Sequence, residues 1–211
     1  SIGLIHRPLF PDWPAAQLAS QALEQGAGDR PAEALELRKH RLRHESLWIS
    51  YCNEPTVPGH LSELHAHHRL MSPRAYWERI KVGGGAPPIL TRHGWLVIYH
   101  GVHGQLDPDS KQRLRYSAGA LLLKARCPEE ILYRSPHPVL APESEEAEGI
   151  VPNVVFPTAL DRRYDLGRPD RIDVYYGMAD DRIGAATFDV PLTLPETKEH
   201  PESRRDAPEA A

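Results

Sequence analysis

The residues best placed to do chemistry stand in residues 76–103, YWERIKVGGGAPPILTRHGWLVIYHGVH. Lys81 precedes the run Gly83-Gly84-Gly85, Pro87-Pro88 follows it, and an aromatic, apolar segment at 95–99 delivers His100. Glycine lets backbone approach a ligand closely. The two prolines fix the exit direction and withhold two amide donors. An ammonium and an imidazole on either side of such a loop and strand suit an anionic or polyhydroxylated ligand. Taken singly, each has a plainer reading: Lys81 as a solvated surface lysine, His100 as a buried, hydrogen-bonded histidine. His65, His67 and His68 cluster in LHAHHRL. Their spacing matches neither HExxH nor a zinc finger, so they read as surface or loop residues rather than metal ligands. Cys52 and Cys127 also fit no metal spacing and read as two reduced thiols.

The elements that must position these groups read as short strands. The chain has 211 residues, 40% of them hydrophobic, enough for one domain with a sizeable core. Its 21 prolines imply many turns and strand ends. A formal net charge of -4 brings no basic surplus and argues against a nucleic-acid or anionic-membrane partner. No apolar run approaches the roughly 20 residues that span a bilayer. The start, SIGLIHRP, has no signal-peptide pattern and no initiator methionine, as expected of a processed or truncated start.

In chain order, strands are expected at 1–10 (IGLI, ending in His6-Arg7-Pro8), 45–52, 95–99, 114–124, 150–159, 171–176 and 183–190, with a short extended piece at 131–134. Turns or loops are expected at 53–60, 104–113, 125–130, 141–149 and 161–169. Residues 13–26 and 31–44 are rich in Ala, Leu, Glu and Gln, which predicts a helical insertion within 11–44. The tail 195–211 has almost no apolar residues and is expected to be mobile. A weak repeat runs through the strands. WISY, WLVIYHG and DVYYG are aromatic-ended, and the last two are followed after a turn by SAGALLL and IGAATFD. Repeated hairpins of this kind point equally to propeller blades and to a sandwich or barrel.

The strings HRP (6–8), KVGGGAPPI (81–89), GWLVIYHGV (94–102), RYSAGALLL (115–123), ILYRSPHPVLAPE (131–143), VPNVVFP (151–157) and VYYGMADDRIGAAT (174–187) stand in the order of one family. Together they resemble glycoside hydrolase family 130, the β-mannoside phosphorylases and related β-mannosidases. The resemblance implies an all-β, five-bladed β-propeller, here about three blades over 1–194, with the insertion at 11–44 as a departure. It implies a cytoplasmic enzyme with inorganic phosphate as co-substrate, a mannose-containing oligosaccharide as substrate, and no metal or organic cofactor. Acceptor contacts in such proteins often come from loops and partner subunits, which admits a homo-oligomer.

By the same resemblance, Lys81 and His100 match phosphate-binding residues, and Arg7 matches an arginine of the same pocket. Asp180 matches an aspartate that contacts the mannosyl unit, with Asp181 as a neighbouring rival. Asn153 and Phe156 fall in a string that faces the propeller funnel, Asn153 to bond a hydroxyl and Phe156 to face a sugar ring or pack in the core. Tyr116, with Arg115, opens another strand of that funnel and is a further substrate-binding candidate. The family's general acid is an aspartate that precedes HRP, so no catalytic residue is expected in this chain. The implied reaction is inverting phosphorolysis to mannose 1-phosphate. Hydrolytic members of such a family activate water with a carboxylate base. Phosphate is already an anionic nucleophile and needs instead a basic clamp. Lys81 and His100 supply that clamp, which favours phosphorylase over hydrolase; a non-catalytic sugar-binding propeller stays as an alternative.

Overall fold

In chain order the strands are β1 (Ile2–His6), β2 (Leu47–Cys52), β3 (His65–Met71), β4 (Lys81–Gly83), β5 (Ile89–Thr91), β6 (Gly94–Gly104), β7 (Leu114–Lys124), β8 (Cys127–Arg134), β9 (Val155–Arg162), β10 (Arg171–Met178) and β11 (Arg182–Asp189). They come from a computed structural model that describes residues 2–7, 45–53, 63–104, 114–143 and 147–195. The helical insertion expected at 11–44 and nearly all of the expected tail lie outside these residues. The described chain is all-β apart from two single-turn 3-10 segments, Tyr76–Glu78 and Tyr164–Leu166.

Three sheets result: β1-β2-β3, β4-β6-β7-β8 with β5 on β6, and β11-β10-β9. This agrees with the roughly three blades that the resemblance implies. WISY, WLVIYHG and DVYYG fall in β2, β6 and β10, and each of these has a hydrogen-bonded neighbour on both sides. Aromatic and β-branched residues favour such interior strands because both flanks bury them. SAGALLL and IGAATFD become β7 and β11, the strands next to β6 and β10.

Several boundaries differ from the sequence reading, mostly at sheet edges. The histidine cluster is strand β3, not a loop, and five of its seven residues are exposed. The turn expected at 125–130 shrinks, because β8 already begins at Cys127. Both are edge strands. With one flank open, an edge strand tolerates polar residues and proline, so neither shows apolar alternation. The strand expected at 150–159 begins only at Val155 and runs on to Arg162. Before it, Asn153 adopts φ 62°, a left-handed conformation that asparagine tolerates. At the other end, Arg162 continues the ladder opposite Ile172.

The chain forms two compact units, residues 1–84 with 100–117, and residues 85–99 with 118–211. In the first, Leu47, Ile49, Leu70, Met71, Trp77, Val82 and Val102 are buried. In the second, Leu96, Ile98, Ala118, Leu122, Val155, Ile172, Val174 and Tyr176 make one apolar cluster. Burial of this kind contributes roughly 1.5–3 kcal/mol per large side chain. No helix among the described residues is long and apolar enough to cross a membrane.

Candidate functional site

Lys81 and His100 share one face of the first unit. In the antiparallel pairing of β4 with β6, Lys81 lies opposite Val102 and Gly83 opposite His100. Directly opposed residues point the same way, and so do residues two apart on one strand. Lys81, Gly83, His100 and Val102 therefore lie on one side of the sheet. Tyr116 joins them from β7: its ring stacks on His100 with centroids 6.0 Å apart and planes 27° from parallel. Lys81 Nζ sits 5.4 Å from the centroid of the Tyr116 ring, within cation–π range.

The glycine run serves a side chain of the protein itself. A Cβ on Gly83 would stand 2.5 Å from His100 Cε1 and 2.7 Å from Nε2. The imidazole thus lies flat across Gly83, and only hydrogen fits beneath it. None of Gly83, Gly84 and Gly85 has a positive φ, so the run is required for its missing side chains rather than for a left-handed turn. The next residue closes the arrangement: His100 Nδ1 is 2.6 Å from the Gly84 carbonyl oxygen. A carbonyl only accepts, so Nδ1 carries the hydrogen and, in the neutral ring, Nε2 carries the lone pair.

The ring is neutral near pH 7. Burial is the main cause that lowers its pKa to about 4, the bond to Gly84 acts in the opposite sense, and the charges of Lys81 and Arg7 lower it further. His100 is 9% exposed. Arg7, just past β1, therefore lies within electrostatic reach of the same imidazole, although its side chain is exposed. The backbone beneath is held in turn. Trp77 (1% exposed) and Glu78 (0%) pack against Gly101, where a Cβ would meet both at 2.5–2.6 Å. Glu78 Oε1 accepts the Ala75 and Arg74 amides at 2.9 and 3.2 Å, and the Val82 amide donates to the Glu45 carbonyl at 3.0 Å.

The remaining candidates belong to the second unit. Asn153 and Asp180 stand in two turns that are laced together: Ala179 donates to the Val154 carbonyl at 2.8 Å and Val151 donates to the Ala179 carbonyl at 2.9 Å. Asp180 is exposed with φ 52°. Its neighbour Asp181 is 3.6 Å from Arg182 in an ion pair, which distinguishes the two aspartates. Phe156 is half-buried in β9 opposite Gly177. Sequence reasoning did not single out Gly84 as the partner of His100, nor Ser50, which bonds to His6 and His67. The glycine run was the signal for the first; nothing local marks a serine in WISY. No cluster of three or more His, Cys, Asp or Glu among the described residues is arranged to hold a metal ion.

Comparison with known proteins agrees with this architecture. The chain is 35% identical over 153 residues to a 1,2-β-oligomannan phosphorylase of Thermoanaerobacter sp. (strain X514), covering 72% of this chain and 45% of that protein. It is 36% identical over 135 residues to a β-1,4-mannooligosaccharide phosphorylase of Ruminococcus albus, covering 64% and 38%. The structure of a β-1,2-mannobiose phosphorylase from Listeria innocua, in complex with β-1,2-mannobiose, superposes with a TM-score of 0.53 at 30% identity. That match covers 68% of this chain and 36% of the Listeria chain. The chain thus spans less than half the length of these relatives. The family model described as β-1,4-mannooligosaccharide phosphorylase matches residues 33–195. On that match, which takes in the glycine run and its histidine, the chain belongs to glycoside hydrolase family 130, whose fold is the five-bladed β-propeller.

Proposed function

We propose that the chain carries the phosphate-binding side of a β-mannoside phosphorylase. The single observation that supports this most is the convergence of Lys81, His100 and Tyr116 on one face across β4, β6 and β7. In the reaction, inorganic phosphate attacks the anomeric carbon of a β-mannoside from the face opposite the leaving sugar. The C1–O bond to the acceptor breaks, a C1–O bond to phosphate forms, and mannose 1-phosphate leaves with inverted configuration. Lys81 and Arg7 hold the anionic oxygens and temper their charge. Hydrogen phosphate carries one O–H, and the neutral His100 ring presents the lone pair of Nε2 as an acceptor for it. Asn153, Asp180 and Phe156 are assigned to the sugar, and Tyr116 to the border of the phosphate.

The general acid is assigned to an aspartate of the segment that precedes HRP in the family. The chemistry calls for no metal or organic cofactor, and a cytoplasmic setting suits its free phosphate. The relatives' names support phosphorolysis of mannosides. The test is an assay of the parent protein on β-mannooligosaccharides with and without phosphate. Mannose 1-phosphate that forms only when phosphate is present is the expected result. Free mannose at a rate independent of phosphate would identify a hydrolase instead. Release of mannose 1-phosphate by the 211-residue chain itself would refute the assignment of the acid.

A further inference from the structure

Strand β3 carries the histidine run that the proposed chemistry leaves unused, and one member of it ends a line of three side chains. His67 Nδ1 is 2.7 Å from Ser50 Oγ, and Ser50 Oγ is 2.8 Å from His6 Nε2. Ser50 is wholly buried, at 0% exposure. The three residues come from β3, β2 and β1 in turn, so the line crosses the whole first sheet. A bulge creates it. The register passes from Ile49 opposite His68 to Tyr51 opposite His65, which leaves Ala66 and His67 together facing Ser50. Ala66 has φ 47°, the left-handed turn that lets a bulged strand re-aim a side chain.

A hydroxyl has one hydrogen. Ser50 donates to one imidazole and accepts from the other, so one facing nitrogen bears hydrogen and the other a lone pair. A proton added to the accepting nitrogen turns it into a second donor: Ser50 Oγ can then accept from both rings, but its own buried hydrogen loses its partner, which weakens the line. Among the described residues of these strands, the other charged side chain on this face is Arg69, opposite Trp48, while His65 and His68 stand opposite Tyr51 and Ile49 on the other face. Burial, and then His67, lower the pKa of His6, which favours its neutral ring.

The end of this line is the start of the anion site. His6 immediately precedes Arg7, whose charge reaches His100. The Ile5 carbonyl oxygen lies 4.0 Å from where a Gly84 Cβ would stand, so the end of β1 runs beside the glycine loop. We propose that Ser50 and His67 are positioning residues for the Arg7 guanidinium: they clamp His6 and so fix where the chain delivers Arg7 to the anion site. This inference rests on the reading of Lys81, His100 and Arg7 as a phosphate clamp.

The test is calorimetric titration of inorganic phosphate into the chain and its variants. His67 is exposed, so His67→Ala removes the end of the line without opening the core. Losing one such hydrogen bond is expected to weaken phosphate about fivefold. His67→Asn, whose side-chain amide can take the place of Nδ1, is expected to restore it. Acidification below neutrality is expected to weaken phosphate more in the wild type than in the double variant His6→Gln/His67→Asn, a comparison that cancels the titration of phosphate itself. Wild-type affinity in His67→Ala overturns the inference, and so does a His67→Asn variant no better than His67→Ala. A wild type that does not bind phosphate, or binds it equally with Lys81→Met, overturns the clamp and the inference with it, and is told apart by that control.

Discussion

Lys81 and Arg7 in the first unit are held differently from Arg163 and Arg171 in the second. In the second, guanidinium groups are closed by carboxylates of the β9–β11 sheet and its turns. Arg163 donates to Asp173 at 2.7 Å and to Asp165 at 2.8 and 2.9 Å. Asp173 also accepts from Thr187 at 2.6 Å, and Arg171 grips Asp189 with two bonds at 2.9 and 3.0 Å. Thr187, then Arg163, holds the Asp173 carboxyl below its ordinary range. In the first unit, among the described residues, no carboxylate pairs with Lys81 or Arg7. Lys81 lies instead against the Tyr116 ring, and its charge lowers the pKa of His100 rather than being neutralised. A fork closed on carboxylates locks strands together. An ammonium set among an aromatic face and a neutral imidazole keeps its field for a ligand that arrives.

This contrast can be broken most sharply at Lys81. Lys81→Met is expected to weaken phosphate about a hundredfold, the scale of removing one member of a close charge pair, with little change in Tm. Calorimetry and a thermal melt on the same sample check both halves. Gly83→Ala comes next. Its Cβ would stand 2.5 Å from His100 Cε1, so the ring must leave its seat. We expect about a tenfold loss of phosphate affinity from the misplaced ring and a loss of about 1–3 kcal/mol from overpacking, read by titration and by urea denaturation.

The third prediction concerns pH. The His100 pKa is lowered from 6.5 to about 4 in the folded chain. Between those values the unfolded chain binds more protons, so stability rises with pH. The contribution is complete above pH 6.5 and fades as pH falls toward 4, by about 3 kcal/mol in all. Urea denaturation across this window should show the slope, and His100→Asn, which keeps a donor for Gly84 but does not titrate, should flatten it. The smallest effect on phosphate is expected from Asp173→Asn. It should lower Tm by several degrees, because Arg163 loses a charged partner, and leave the phosphate isotherm unchanged. A shifted isotherm would show that the two kinds of cation are not separate.

Much of the fold was legible where both flanks of a strand are buried. β2, β6 and β10 announce themselves through aromatic and branched residues, and β7 was bounded correctly from LRYSAGALLLK. Among the edge strands, β3 was read as surface or loop and β8 only over its last residues, 131–134, since a strand paired on one side need not alternate. Within the site, Lys81 and His100 were legible as a pair of chemical types around a glycine run. The purpose of that run was read wrongly in one respect: at Gly83 the space is filled by His100, not left for a ligand.

What the amino-acid sequence settled by itself was local or ordered along the chain: the interior strands, the scarcity of helix among the described residues, and the motif order that marks family 130. What only the tertiary structure decided depends on register between distant segments. Opposition of Gly83 and His100 places lysine and imidazole on one face. The Gly84 carbonyl fixes which ring nitrogen bears hydrogen. A bulge at Ala66 turns one of three similar histidines toward Ser50. A slip of one residue in any of these ladders would send the same side chains to the other side of the sheet, and no local property of the sequence specifies that register.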